Sequence, residues 1–313
     1  MSTRKNKSNI HSYYMKLALS QANIILGNTG KNPAVGCVIT KNNHLLSAAH
    51  TSFNGRPHAE ANAIKLSKND ISNSNIYVTL EPCSHYGKTP PCVNFIIKKK
   101  IKNVFFSIKD PDLRSFNKAI KILKKKRIKV QYGICSKKIN NFYNSYIKSK
   151  KNTFPFVTCK LAASKDLFTI NNKKKWITNK YSRSRVHLMR SYHDCILTSS
   201  ETVIRDNPTL TCRIDGLEKF SPVRIVLDKK LRIPINSEIL KNSLKYKTII
   251  FYNYLKNQKI QKLKKLKIKL YRLPVNKNGD IDLKILLYKI KKLGFSRIFV
   301  ESGLKLASSF FKS

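Results

Sequence analysis

His58-Ala59-Glu60 and, further along, Glu81-Pro82-Cys83-Ser84-His85-Tyr86-Gly87-Lys88-Thr89-Pro90-Pro91-Cys92 are the stretches on which this chain turns. The first sets an imidazole and a carboxylate two residues apart, and the second offers two thiols, each preceded by proline. Borderline-soft Zn²⁺ takes His nitrogen and Cys sulfur in tetrahedral sites, and a site that does chemistry keeps three protein ligands and an open position. His58, Cys83 and Cys92 supply three such ligands. Glu60 is then free to move protons instead of holding metal.

Each piece alone has a plainer reading. A His-x-Glu is mostly a surface pair, and a lone cysteine in an intracellular chain is usually a small buried apolar residue. The setting argues for chemistry. Ala59 to Ile64 reads as a helix opened by His58, Cys92 opens another after Pro90-Pro91, and Val78-Thr79-Leu80 is a strand running into Glu81-Pro82-Cys83. Helix N-termini favour an anionic thiolate.

At 313 residues the chain has room for two domains. Its net charge of +47 has two readings. One is an affinity for nucleic acid or an anionic surface. The other is compositional drift, because Lys, Asn and Ile swell together and the lysines are spread along the whole chain. Phosphate-bearing small substrates benefit either way. Seven cysteines, an odd number without framework spacing, point to a reducing compartment. The first sixteen residues lack a signal-peptide apolar run, and no window approaches a membrane span. A soluble, cytoplasmic protein is expected.

Residues before Ile10 read as a polar tail. Ile10 to Leu26 has helical apolar spacing, with Gly27 as a stop. Residues Asn32 to Ile39 lead from a loop into a strand, paired through Lys41-Asn42-Asn43 with Leu45 to His50. After the two motif helices, further strands are expected at Asn75 to Leu80, Asn103 to Ile108 and Ile128 to Tyr132, with a helix at Phe116 to Lys125. This alternation argues for a three-layer α/β domain over 1–150. A second α/β unit occupies 151–313 after a basic helix, Lys137 to Lys151. Its strands are read at Phe156 to Ala163, Cys195 to Thr198, Val223 to Leu227, Lys247 to Tyr252, Ile268 to Leu273 and Arg297 to Val300. Helices are read at Thr178 to Ser191 and Leu283 to Leu293, and Lys256 to Lys269 as a lysine-rich surface.

The N-terminal half resembles the deaminase half of the bifunctional riboflavin-biosynthesis deaminase/reductase family. That family's Asn-Pro-x-Val-Gly-Cys-Val, His-Ala-Glu and Thr-Leu-Glu-Pro-Cys-Ser-His-x-Gly-x-Thr-Pro-Pro-Cys stand here at Asn32–Val38, His58–Glu60 and Thr79–Cys92. Deaminases of nucleic acids and free nucleosides generally close their site with Cys-x-x-Cys, whereas eight residues separate Cys83 from Cys92. The resemblance implies a cytidine-deaminase-like fold with Zn²⁺ on His58, Cys83 and Cys92. It implies hydrolytic removal of an amino group from 2,5-diamino-6-ribosylamino-4(3H)-pyrimidinone 5′-phosphate, with Glu60 shuttling protons. Asn32 and His50 match substrate-holding positions, and Lys88 and Thr89 lie in the loop expected near the phosphate. Asn32 is otherwise a turn residue before Pro33, and His50 a solvated strand end.

The second half resembles the family's reductase domain, which implies a dihydrofolate-reductase-like fold that uses NADPH to reduce the ribosyl to a ribityl chain. The matching pieces are Lys160–Ser164, Trp176–Thr178, Arg190, Ile196–Thr202, Asp206–Leu210, Arg213, Arg224–Asp228 and Val300–Gly303. Carried over, Ala162, Trp176, Thr202, Asp206 and Gly303 face the cofactor, and Arg190, Leu210, Arg213 and Glu301 the substrate. Guanidinium forks suit a phosphate. The chain departs from the pattern at Leu167, Lys174, Lys229, Leu304 and Lys305, and it stops at Ser313 within a helix where the family continues into further strands and dimer contacts. The expectation is a bifunctional homo-oligomeric enzyme without nucleic-acid or membrane partner. Its alternatives are a deaminase with a vestigial reductase domain, a nucleic-acid-editing deaminase or basic RNA-binding protein, and a remnant with a purely structural zinc site.

Overall fold

The computed structural model describes residues 2–166, 168–169, 176–253 and 257–312. Leu167 and Lys174 lie outside the described residues. The chain forms two compact units, Met1–Lys151 and Asn152–Ser313.

The first unit contains α1 (Ser2–Ile24), β1 (Gly36–Lys41), β2 (His44–His50), α2 (Ala59–Leu66), β3 (Asn75–Leu80), α3 (Cys92–Lys98), β4 (Asn103–Ile108), α4 (Lys118–Lys125), β5 (Lys129–Tyr132) and α5 (Ser136–Lys151). The sheet runs β2-β1-β3-β4-β5, with β1 antiparallel to β2 and β3, and β3, β4 and β5 parallel. Between β1 and β2, Asn42 and Asn43 both take positive φ, 50° and 62°. Two left-handed residues make the hairpin turn whose twist matches the flanking strands, and asparagine tolerates that region.

Alternation along the strands separates two faces. Tyr77 and Phe105 stack at 4.8 Å beneath His11 and Tyr14 of α1, and Thr79 meets the Tyr143 hydroxyl of α5 at 2.6 Å. Helices α2, α3 and α4 pack side by side over the other face. Gly36 lets α1 approach the sheet closely: a Cβ there would lie 1.8 Å from the Ala18 carbonyl oxygen. The carboxyl end of β3 delivers the chain straight into Glu81-Pro82-Cys83.

The second unit contains β6 (Phe156–Lys160), α6 (Lys180–Ser191), β7 (Cys195–Ser199), α7 (Ser200–Asp206), β8 (Val223–Leu227), α8 (Glu238–Lys241), β9 (Thr248–Tyr252), α9 (Asn257–Lys265), β10 (Lys269–Arg272), α10 (Leu283–Lys292), β11 (Arg297–Glu301) and α11 (Leu304–Lys312). All six strands are parallel in the order β10-β9-β8-β7-β11-β6, so the last strand is inserted between β7 and β6. Parallel strands are covered on both faces and read as continuous apolar runs. Ile196-Leu197, Ile225-Val226, Ile249–Phe251 and Ile298–Val300 are all buried.

Three sequence expectations shift. The segment read as a polar tail is the start of α1, which begins at Ser2 and ends at Ile24. Strand β6 stops at Lys160, short of Ala163. The lysine-rich tract contains α9, whose Ile260 and Leu263 pack into the core at helical spacing that the surrounding charges mask. One substitution tests the α1 contact. Gly36→Ala should cost about 3 kcal/mol through overpacking against a backbone carbonyl, seen as a lower urea midpoint at unchanged slope. Parent-like stability would show that α1 can move off the sheet.

Candidate metal centre and reductase site

His58 is the N-cap of α2, in extended conformation (φ −72°, ψ 160°), and Cys92 is the first residue of α3 after Pro91. Cys83 lies on the loop leaving β3. These three elements bring the ligand atoms of His58, Cys83 and Cys92 within 4.8 Å of one another. His58 Nδ1 is 3.4 Å from Cys92 Sγ and 3.5 Å from Cys83 Sγ. A tetrahedral ion with bonds of about 2.0 Å to nitrogen and 2.3 Å to sulfur sets those edges at about 3.6 Å. The donor set therefore fits zinc in spacing as well as chemistry.

Electrostatics point the same way. The hydrogen bond from the Cys92 thiol, more than that from His58, pulls Cys83 down to about 4, while Cys92 is pushed up by its bond to Cys83 and then by burial. A dication held between the two thiols would allow both to ionise. The backbone N–H of Cys92 also donates to Cys83 Sγ at 3.2 Å. Glu60, in the first turn of α2, is buried, and desolvation raises its carboxyl to about 7.

The loop between the two cysteines is braced on several sides. Arg56 Nη1 donates to Thr89 Oγ1, His85 Nδ1 lies 3.0 Å from Ser115 Oγ, and Asn94 Nδ2 donates to the Tyr86 hydroxyl. Lys88 is exposed. Asn32 Nδ2 donates to the Gly55 carbonyl at 2.9 Å, and His50 Nδ1 lies 2.8 Å from the Thr51 carbonyl oxygen. Glu81 is buried, and its Oε2 accepts the backbone N–H of Asn117 at 3.1 Å, which fastens the Cys83 loop to the start of α4. The sequence reading missed Arg56, whose only signal was its place two residues before His58, and the bracing role of Glu81, which it quoted only as part of the motif.

In the second unit, register places the matched residues together. Glu301 pairs with Lys160 and Val300 with Leu197. Ala162, Thr202 and Gly303 therefore follow the carboxyl ends of three neighbouring strands, β6, β7 and β11, where α/β sheets bind ligands. A Cβ at Gly303 would meet nothing within 4 Å, so the backbone is open to a close-lying group. These features fit a dinucleotide. Thr202 is tied to Ser199 (N–H to Oγ 3.3 Å), Asp206 is paired with Arg205, and Trp176 is exposed with the Arg183 guanidinium 4.7 Å from its ring centre. Lys229 donates to the Gly279 carbonyl, and Lys305 is exposed in the first turn of α11.

Arg190 and Glu301 form a bidentate pair, at 2.6 and 3.0 Å, and Arg190 Nη1 also donates to the Thr211 carbonyl. Exposed Arg213 donates to Thr209 Oγ1 at 2.9 Å, and its Nη2 is 3.2 Å from His187 Nε2. Burial and then the neighbouring Arg190 and Arg213 lower His187, keeping it a neutral acceptor. Leu210 is buried at positive φ (54°) between these groups in sequence.

Fold and site together define a deaminase-type zinc region followed by a reductase-type α/β domain. Residues 8–108 match the cytidine and deoxycytidylate deaminase zinc-binding region, and residues 155–313 match the RibD C-terminal domain. The riboflavin biosynthesis protein RibD of Aquifex aeolicus is 35% identical over 308 residues, covering 97% of this chain and 83% of the relative. The solved structure of Acinetobacter baumannii RibD superposes with a TM-score of 0.84 at 30% identity, over 97% of this chain and 84% of that one. A Thermotoga maritima diaminohydroxyphosphoribosylaminopyrimidine deaminase/5-amino-6-(5-phosphoribosylamino)uracil reductase does so at 0.85 and 28% identity, over 98% and 84%. The chain belongs to the RibD family. It is an enzyme of riboflavin biosynthesis that joins a Zn²⁺-dependent deaminase domain to an NADPH-dependent reductase domain.

Burial of Glu60 has a measurable signature once metal is chelated. Its carboxyl lies at about 7 folded against 4.5 free. A raised carboxyl pKa costs stability increasingly from pH 4.5 to about 7 and by a constant amount above that. Chelated Glu60→Gln should therefore be more stable than the chelated parent at pH 8, with the gap closing toward pH 4.5 in urea titrations. A gap that stays constant with pH would contradict the assignment.

Proposed function

We propose that His58, Cys83 and Cys92 hold the zinc ion and that Glu60 is the proton carrier in hydrolytic deamination of 2,5-diamino-6-ribosylamino-4(3H)-pyrimidinone 5′-phosphate. The observation that carries this reading is the trio of donor atoms at zinc spacing beside a buried carboxyl. Zinc held there supplies Lewis-acid activation, lowering the pKa of water toward neutrality. Glu60 accepts the proton of the attacking water, returns it to the ring nitrogen and passes another to departing ammonia, leaving a ring carbonyl. Buried in the first turn of α2, that carboxyl is placed to take and return protons beside the donor atoms. Asn32 and His50 orient the pyrimidine, and Lys88 and Thr89 serve its phosphoribosyl end.

The deaminated product is then reduced at the second unit, where NADPH supplies hydride for conversion of the ribosyl to a ribityl chain. Ala162, Trp176, Thr202, Asp206 and Gly303 face the cofactor. Leu210 and Arg213 hold the substrate with Arg190 and Glu301, whose mutual ion pair fixes the guanidinium before substrate arrives. The same reading takes the working form to be a cytoplasmic homo-oligomer. Its seven free cysteines suit a reducing compartment.

Glu60→Gln should keep its zinc, by mass spectrometry of native protein, while ammonia release falls about 10²–10⁴-fold. Unchanged ammonia release at full zinc loading would contradict the proton-carrier role. Cys92→Ser should lose both zinc and ammonia release. With NADPH present, the parent should oxidise cofactor on the deaminated phosphoribosylaminopyrimidine. Ammonia release without NADPH oxidation would leave the first activity standing and the second assignment refuted.

A further inference from the structure

Arg56 is half-buried, two residues before His58, and it lies across the loop that joins Cys83 to Cys92. One nitrogen, Nη1, donates to Thr89 Oγ1. The other, Nη2, is 3.2 Å from where a Cβ on Gly87 would sit, so the guanidinium passes close to that residue's backbone. Lys88 lies between Gly87 and Thr89 in sequence and is exposed. The loop Ser84–Pro91 contains no acidic residue. Among the described residues, no carboxylate pairs with Arg56 or Lys88.

Arg56 thus lies against this loop at the rim of the metal centre, with no carboxylate paired to it among the described residues. A guanidinium held against a loop that carries a lysine favours an anion that can reach both. A guanidinium offers paired donors in a fixed plane, which a phosphate monoester matches and a point-charge ammonium does not. Thr89 sets the plane by accepting from Nη1, leaving Nη2 toward Gly87 and its own O–H available to donate.

We propose that Arg56 is a substrate-binding residue of the deaminase site, which with Lys88 grips the phosphate monoester and sets the preference for the phosphorylated over the dephosphorylated substrate. This rests on the deaminase reading above. Its competitor is that Arg56 only braces the loop between two metal-ligand segments.

The test measures ammonia release by zinc-loaded parent, Arg56→Gln and Arg56→Lys. The substrates are the diaminopyrimidine ribotide and the riboside made from it with phosphatase. Arg56→Gln should raise KM for the ribotide about ten- to hundredfold, keep kcat within about threefold and leave the riboside unaffected. Arg56→Lys should recover part of the ribotide loss. Equal losses on both substrates, or none on either, would overturn the proposal, the first by making Arg56 a brace. Calorimetric titration of inorganic phosphate into zinc-loaded parent and Arg56→Gln needs no turnover. A phosphate site lost in the variant supports the proposal, and identical isotherms overturn it. A parent that releases no ammonia from either compound contradicts the deaminase reading and leaves the titration to judge Arg56.

Discussion

Three electron-pair donors from separated segments converge within 4.8 Å, the imidazole 3.4–3.5 Å from each sulfur, and this convergence is the constraint on which the first unit depends. Without a cation, such a cluster is frustrated: one thiol ionises easily, and its partner is then held protonated. The fold provides the convergence by ending elements at one place. Helices α2 and α3 begin there with His58 and Cys92, and β3 finishes there. Glu81 then pins the cysteine loop to the start of α4. Because Glu60 falls within the first turn of α2, the segment that aims the imidazole also buries the carboxyl beside it.

The second unit reaches its site by a related rule with different chemistry. Six parallel strands present their carboxyl ends along one edge, and inserting β11 between β7 and β6 places Gly303, Thr202 and Ala162 on neighbouring exits. Its charged groups are organised before any ligand arrives. Arg190 and Glu301 satisfy each other, His187 stays neutral between two guanidiniums, and the wholly buried Arg224 is held by the Tyr246 carbonyl and Thr248 hydroxyl, both at 2.7 Å. A buried charge is tolerable only when so provided with acceptors. The large positive charge needs no such site, since most lysines are solvated.

Much of this was legible in the sequence because the decisive residues are short-range motifs. His58-Ala-Glu60 and the Cys83-to-Cys92 spacing carry the candidate donors and their number in the order of letters, and alternating apolar runs carry the strands. What the sequence hid depends on distant partners or on masked periodicity. Arg56 acquires meaning only through Thr89 and Gly87 across the loop. Arg190 and Glu301, matched separately as substrate residues, are joined only where helix α6 meets the end of β11. Helix α9 was concealed because lysines dilute its apolar positions, and the reach of α1 toward Ser2 because those residues carry no apolar pattern.

X-ray absorption at the zinc edge of the purified protein tests the central claim most directly. The account predicts two sulfur scatterers at about 2.3 Å with nitrogen or oxygen neighbours at about 2.0–2.1 Å, at least one of them imidazole. Four sulfurs, or a first shell without sulfur, would contradict it.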